Sequence, residues 1–84
     1  MIGIRRLLVI DMPHSIFIEE RKGDIRRPPQ LIAYDIDSVA LANRLVRSIA
    51  KSSRINGVDR LTGQRWFKLN DTVFDVYRLE IGVR

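Results

Sequence analysis

Asp37-Ser38-Val39-Ala40-Leu41-Ala42-Asn43-Arg44-Leu45-Val46-Arg47-Ser48-Ile49-Ala50-Lys51-Ser52-Ser53-Arg54-Ile55 is where the apolar pattern changes period, from two to about 3.6. At 100° per residue, Val39, Ala42, Leu45, Val46 and Ile49 fall within a sector of roughly 120°, the apolar stripe of a helix laid on a core. Asp37 or Ser38 provides the N-cap, accepting from the first free backbone N–H groups. Asn56-Gly57 provides the stop, because either residue tolerates the left-handed conformation of a helix C-terminus.

On both sides of this helix the sequence reads as strand. Ile4 to Ile10 is aliphatic and β-branched and ends at Asp11-Met12-Pro13-His14; Ser15 to Glu20 follows as the return strand of a hairpin. Arg21-Lys22-Gly23-Asp24 closes that strand, with Gly23 free to take a positive φ. Pro28-Pro29 confines Ile25 to Pro29 to an extended loop or sheet edge. Gln30 to Ile36 alternates, with Ile32, Tyr34 and Ile36 expected on one face and Leu31 and Ala33 on the other. Downstream, Thr62-Gly63-Gln64 interrupts the chain before Arg65 to Leu69, which is joined to Thr72 to Ile81 by the turn pair Asn70-Asp71; Tyr77, Leu79 and Ile81 share a face. The expected order is β-β-β-α-β-β. Hairpin-sized gaps favour antiparallel pairing, so residues 1–84 form one two-layer α+β domain, a mostly antiparallel sheet with one amphipathic helix on one face.

Composition agrees with a single small domain. At 84 residues, folding buries roughly 60–65% of the surface of the unfolded chain, enough for one modest core. Hydrophobic residues make up 45% and charged residues 30%, a balance unlike disordered or fibrous chains. Without cysteine, disulfides, zinc knuckles and thiol chemistry are excluded. No apolar run approaches the ~18–20 residues that span a bilayer, and no signal-peptide pattern opens the chain, so the expected address is the cytoplasm, with no membrane partner.

Lys plus Arg number 15 against 10 Asp plus Glu, and twelve of the fifteen are Arg. Arg44, Arg47, Lys51 and Arg54 stand at i, i+3, i+7 and i+10, a basic stripe nearly opposite the apolar sector. Like charges at these spacings repel slightly, and a polyanion would offset the repulsion, each phosphate releasing its condensed counterions. The helix macrodipole accounts for Lys51 and Arg54 without any ligand, leaving Arg44 and Arg47 as the two residues it explains least. A second basic group, Arg60, Arg65 and Lys68, surrounds Trp66 and Phe67; such interleaving can stack single-stranded bases, although a lone Trp in so small a domain also serves as core filler. A third group, Arg21, Lys22, Arg26 and Arg27, lies among Glu19, Glu20 and Asp24, which largely cancel its field.

Signals for catalysis are weak. His14 is the only imidazole and reads as a solvated or backbone-bonded turn residue; no nucleophile or orienting acid accompanies it. Asp35-x-Asp37 matches a cation-binding pair, but Asp37 already has a capping role. The five glycines are scattered, so no phosphate-cradling loop assembles. The expectation is a protein without enzymatic activity, cofactor or bound metal.

Two functions of different class fit. The first is a nucleic-acid or ribonucleoprotein binder using Arg44, Arg47, Lys51 and Arg54, extended by Arg60, Arg65 and Lys68, with Trp66 available for stacking. The second is a small protein-interaction module, an inhibitor or adaptor, that docks on an acidic protein partner through its Arg-rich face or pairs through a sheet edge, which would also make a homodimer. In size and style the chain resembles small phage and mobile-element proteins that block larger host machines, anti-CRISPR inhibitors among them. That resemblance implies an inhibitor docking on a larger host machine.

Overall fold

The computed structural model describes residues 13–80. The strand expected over Ile4–Ile10, and Ile81, lie outside these residues. Within them the elements are β1 (His14–Lys22), β2 (Ile25–Arg26), β3 (Gln30–Ile36), α1 (Val39–Ala50), β4 (Ile55–Val58), β5 (Arg65–Leu69) and β6 (Thr72–Leu79). All strand pairs are antiparallel, in the order β2-β1-β6-β5-β4, with β3 also on β1. The result is the expected α+β arrangement, one helix against a mostly antiparallel sheet.

β2 and β3 lie one after the other along the same side of β1, paired to Arg21–Lys22 and to His14–Ile18 respectively. Pro28-Pro29 falls between them, where two missing N–H donors interrupt no ladder. The turns obey their local chemistry. Gly23, at φ 61°, joins Lys22 to Ile25, and Asn70, at φ 57°, joins Leu69 to Thr72.

Helix α1 connects β3 at one side of the sheet to β4 at the other. Twelve residues give about 18 Å of helix, close to the roughly 19 Å across four strand spacings. Ser38 is the N-cap, its hydroxyl accepting from Leu41 N at 3.1 Å. The helix buries Ala42, Val46 and Ala50, with Leu45 and Ile49 packed beside them. Val39, expected on this stripe, is half exposed, and Ala50 takes a place in the buried set. Beneath lie Ile16, Ile36, Phe67 and Val76, each worth ~1.5–3 kcal/mol on burial, together with Ile18, Ala33 and Phe74. Phe67 and Phe74 stack at 5.0 Å across β5 and β6.

Three expectations are corrected. The helix ends at Ala50 rather than at Asn56-Gly57: Ser52 Oγ donates to Ile49 O at 2.6 Å, and buried Ser53 donates to Lys68 O at 2.7 Å, drawing the chain into the sheet. Asn56 and Gly57 are therefore strand residues in β4, opposite Phe67 and Trp66. In β3, Ile36 is buried while Ile32 and Tyr34 are exposed, and Ala33 packs on the core; Asp35 sits at φ 59°, and the register on β1 shifts there, so the period of two is broken by a bulge. In β6 Tyr77 and Leu79 share a face as expected, the one turned away from the helix, and Phe74, Val76 and Arg78 lie under it. His14 is a strand residue, 6% exposed, and not a solvated turn.

Candidate nucleic-acid interface

Strand alternation sorts the expected basic residues between the two faces of the sheet. Phe67 is in the core under α1, so its neighbours Trp66 and Lys68 project to the opposite face, while Arg65 returns to the helix side. Trp66 is half buried and lies over Gly57, outside the core beneath the helix. The Arg65-Trp66-Lys68 group thus divides, and an aromatic on one face cannot stack bases of a strand held by arginines on the other.

On the helix, Arg44, Arg47 and Lys51 are exposed surface neighbours at i, i+3 and i+7. Because the helix ends early, Lys51 is its C-cap and Arg47 is the basic residue of its last turn, so the macrodipole favours Arg47 as well. Arg54 lies beyond the helix, in the link to β4, and leaves the stripe. Arg60 is on the β4–β5 loop, next to Leu61, which is 95% exposed. That loop is built on Asp59: its carboxylate accepts from Leu61 N and Thr62 N, its backbone carbonyl accepts from Gly63 N, and its own N–H donates to Gln64 O. Gly63, at φ 77°, takes the conformation other residues resist.

Between this loop, α1 and the sheet is a cleft of about 480 Å³. Arg47 from α1, Arg65 from β5 and Arg78 from β6 line it, with Asn43, Thr62 and Gln64. Arg78 and Asn43 are not among the residues that sequence reasoning singles out. Arg78 Nε donates to Asn43 Oδ1 at 3.2 Å, and its Nη1 lies 3.1 Å from His14 Nδ1. A guanidinium only donates, so this contact is a hydrogen bond in the tautomer whose Nδ1 is the acceptor.

The third basic group behaves as its sequence context suggested. Arg21 forms a two-pronged pair with Asp75 at 2.6 and 3.0 Å, Lys22 pairs with Asp71, Arg26 with Glu19 and Arg27 with Glu20. The hydrogen bond to Asp75, reinforced by the charges of Asp75, Glu19 and Asp59, pushes the Arg21 guanidinium still higher than its usual value, against the opposing effect of burial. On the same face Tyr77 stacks on Phe17 at 5.9 Å and donates to Glu19 Oε1 at 3.3 Å.

Asp35 and Asp37 are both exposed at the β3–α1 junction, and no group of three His, Cys, Asp or Glu side chains among the described residues is placed to hold a metal ion. No helix among them is long and apolar enough to cross a membrane. No protein-family model, curated protein or solved structure matches the chain.

Proposed function

We propose that the protein is a non-catalytic nucleic-acid-binding module, acting on free nucleic acid or on the RNA of an RNA–protein complex, and that its helix side grips the sugar–phosphate backbone independently of sequence. One observation carries this reading. Among the described residues every salt bridge uses a basic residue between Arg21 and Arg27, whereas Arg44, Arg47, Lys51, Arg54, Arg60, Arg65, Lys68 and Arg78 have no carboxylate partner. Charge needed only for solubility would be interspersed with its opposite; charge left unneutralised, as for Arg44, Arg47, Lys51, Arg65 and Arg78 on the helix side, suits an external polyanion.

The helix side offers guanidinium forks and amide groups but no aromatic platform. Tyr77 borders the cleft while its ring lies against Phe17 on the other face. Such a surface positions a backbone without reading bases. The test is fluorescence anisotropy of labelled single-stranded and duplex DNA and RNA at ~50 and ~200 mM salt. Micromolar or tighter binding that falls steeply with salt is expected; absence of binding at the lower salt overturns the proposal.

A second reading, docking on an acidic protein surface, draws on Leu61, exposed at the loop tip beside Arg60. It predicts that Leu61→Ser abolishes capture of that protein and leaves nucleic-acid affinity unchanged.

A further inference from the structure

The geometry points to a seat for one phosphate group in the cleft between α1, β5 and β6, centred on the Arg78 guanidinium. The seat presupposes that the helix side receives phosphate, as proposed above, and adds where a single phosphate is fixed and which residues fix it.

Arg21 and Arg78 are both part-buried arginines on the sheet, with opposite electrostatics. The Arg21 fork closes on a carboxylate, so its charge is spent within the fold. Arg78 is oriented by two neutral acceptors, Asn43 Oδ1 on the helix and His14 Nδ1 on β1. These hold the plane of the guanidinium without neutralising it. Nε and one Nη1 proton are used, which leaves three of its five N–H donors for a ligand. A preorganised fork of undiminished charge is what a bidentate oxyanion contact requires, because little side-chain entropy remains to be lost on binding.

The surroundings suit phosphate. Arg47 and Arg65 line the same cleft, and neither has an acidic partner among the described residues. Three guanidinium groups from three separate elements supply more donors than the two oxygens of a carboxylate can accept, whereas phosphate oxygens accept from several directions. Asn43, Gln64 and Thr62 add polar groups at the rim. At about 480 Å³ the cleft takes one phosphate with its attached sugar rather than a length of strand. The phosphate can be an internal phosphodiester or a terminal phosphomonoester; the two share this chemistry and are separated below. Arg78, Arg47 and Arg65 bind; Asn43 and His14 are positioning residues.

Two readouts test the seat. In the first, the Arg78 side-chain Nε–H resonance is followed by NMR in the intact protein as inorganic pyrophosphate is added. A saturable shift is expected in the wild type, and it weakens at least tenfold in Asn43→Ala, which leaves the Arg78 charge in place but removes its orientation. In the second, the salt dependence of binding to a single-stranded oligonucleotide is compared between wild type and Arg78→Met. A slope smaller by about 0.7, one single-strand phosphate contact, is expected. Should Arg78→Met unfold, Arg78→Lys keeps the charge without the fork, and at least threefold weaker binding at constant slope is expected. A 5′-phosphorylated oligonucleotide that binds at least fivefold tighter than its unphosphorylated twin assigns the seat to a terminal phosphate; equal affinity assigns it to an internal one. If nucleic acid binds but neither pyrophosphate nor Arg78→Met has an effect, the seat is wrong and the wider reading stands. If pyrophosphate shifts Arg78 while no nucleic acid binds, the seat stands and the nucleic-acid reading fails.

Discussion

Gly57 on β4 lies directly against the indole of Trp66 on β5, its cross-strand partner: a Cβ placed on Gly57 would stand 2.7 Å from Trp66 Cζ2 and 3.0 Å from Cε2. No real pair of carbons packs that closely, so any side chain at position 57 must move the ring. Gly57→Ala is expected to destabilise the fold by about 1–2 kcal/mol, the lower part of the usual overpacking cost because the half-buried indole can swing toward solvent. Trp66 is the sole Trp, which makes the displacement visible. Thermal unfolding should show the loss, and the emission of the folded variant should shift to the red; unchanged stability and emission would overturn the close packing of Gly57 on the indole.

Tyr77 gives the molecule an alkaline sensitivity. Burial first, and then the charge of Glu19 and the hydrogen bond donated to it, push the phenol above its ordinary value of 10.0. A folded value higher than the unfolded one means that the native state holds its proton longer. The associated stability is complete below about pH 10 and is lost as pH rises through the folded value. Tyr77→Phe keeps the stacking on Phe17 and removes the titration. The denaturant midpoint of the variant should lie below wild type at pH 8 and approach it through the alkaline range. Parallel curves would place the loss on other groups.

Ser38 is a self-contained test of how the helix begins. Its hydroxyl accepts from Leu41 N, and no acidic residue in the first turn supplements it. Ser38→Ala should cost ~1 kcal/mol in chemical denaturation, with Ser38→Asp restoring most of it by adding a charge favourable to the helix N-terminus. A variant as stable as wild type would mean that water satisfies the orphan N–H groups equally well.

The elements legible in the sequence are those decided within a few residues. Ser38, Gly23 and Asn70 each act through their own backbone or the next turn, and the apolar stripe through Val46 is a property of one segment. The neutral character of the 21–27 region was readable because Glu19 and Glu20 stand close by in the chain. What failed was non-local. Gly57 is glycine because of a ring nine residues away, so Asn56-Gly57 passed for a helix stop. Asp35 takes a positive φ where β3 shifts its register on β1, and period-two counting does not survive that shift. The Arg78 cluster joins residues 35 and 64 positions apart, and no spacing rule reaches that far. The division of Arg65 from Trp66 and Lys68 is different: once 65–69 is read as a strand, alternation dictates it.

The contrast between paired and unpaired arginines gives the sharpest functional comparison, since two double variants remove the same formal charge. Arg47→Gln with Arg65→Gln takes two unpartnered guanidinium groups from one cleft; Arg26→Gln with Arg27→Gln takes two that already face Glu19 and Glu20. If net charge alone governed association, the two would weaken binding to nucleic acid alike. With local contacts, the cleft variant should lower the salt slope by about 1.4 on single strands, one phosphate for each residue, and weaken binding across unrelated sequences equally. The loop variant should leave the slope within error, because its carboxylates stay behind and its arginines had little charge left to offer. Folding should be affected little by either, as exposed ion pairs contribute ~0–1 kcal/mol each and the cleft arginines have no pair to lose. Equal slopes for the two variants, measured by anisotropy from ~50 to ~200 mM salt, would remove the cleft from the interface and leave binding to the diffuse positive field of the chain.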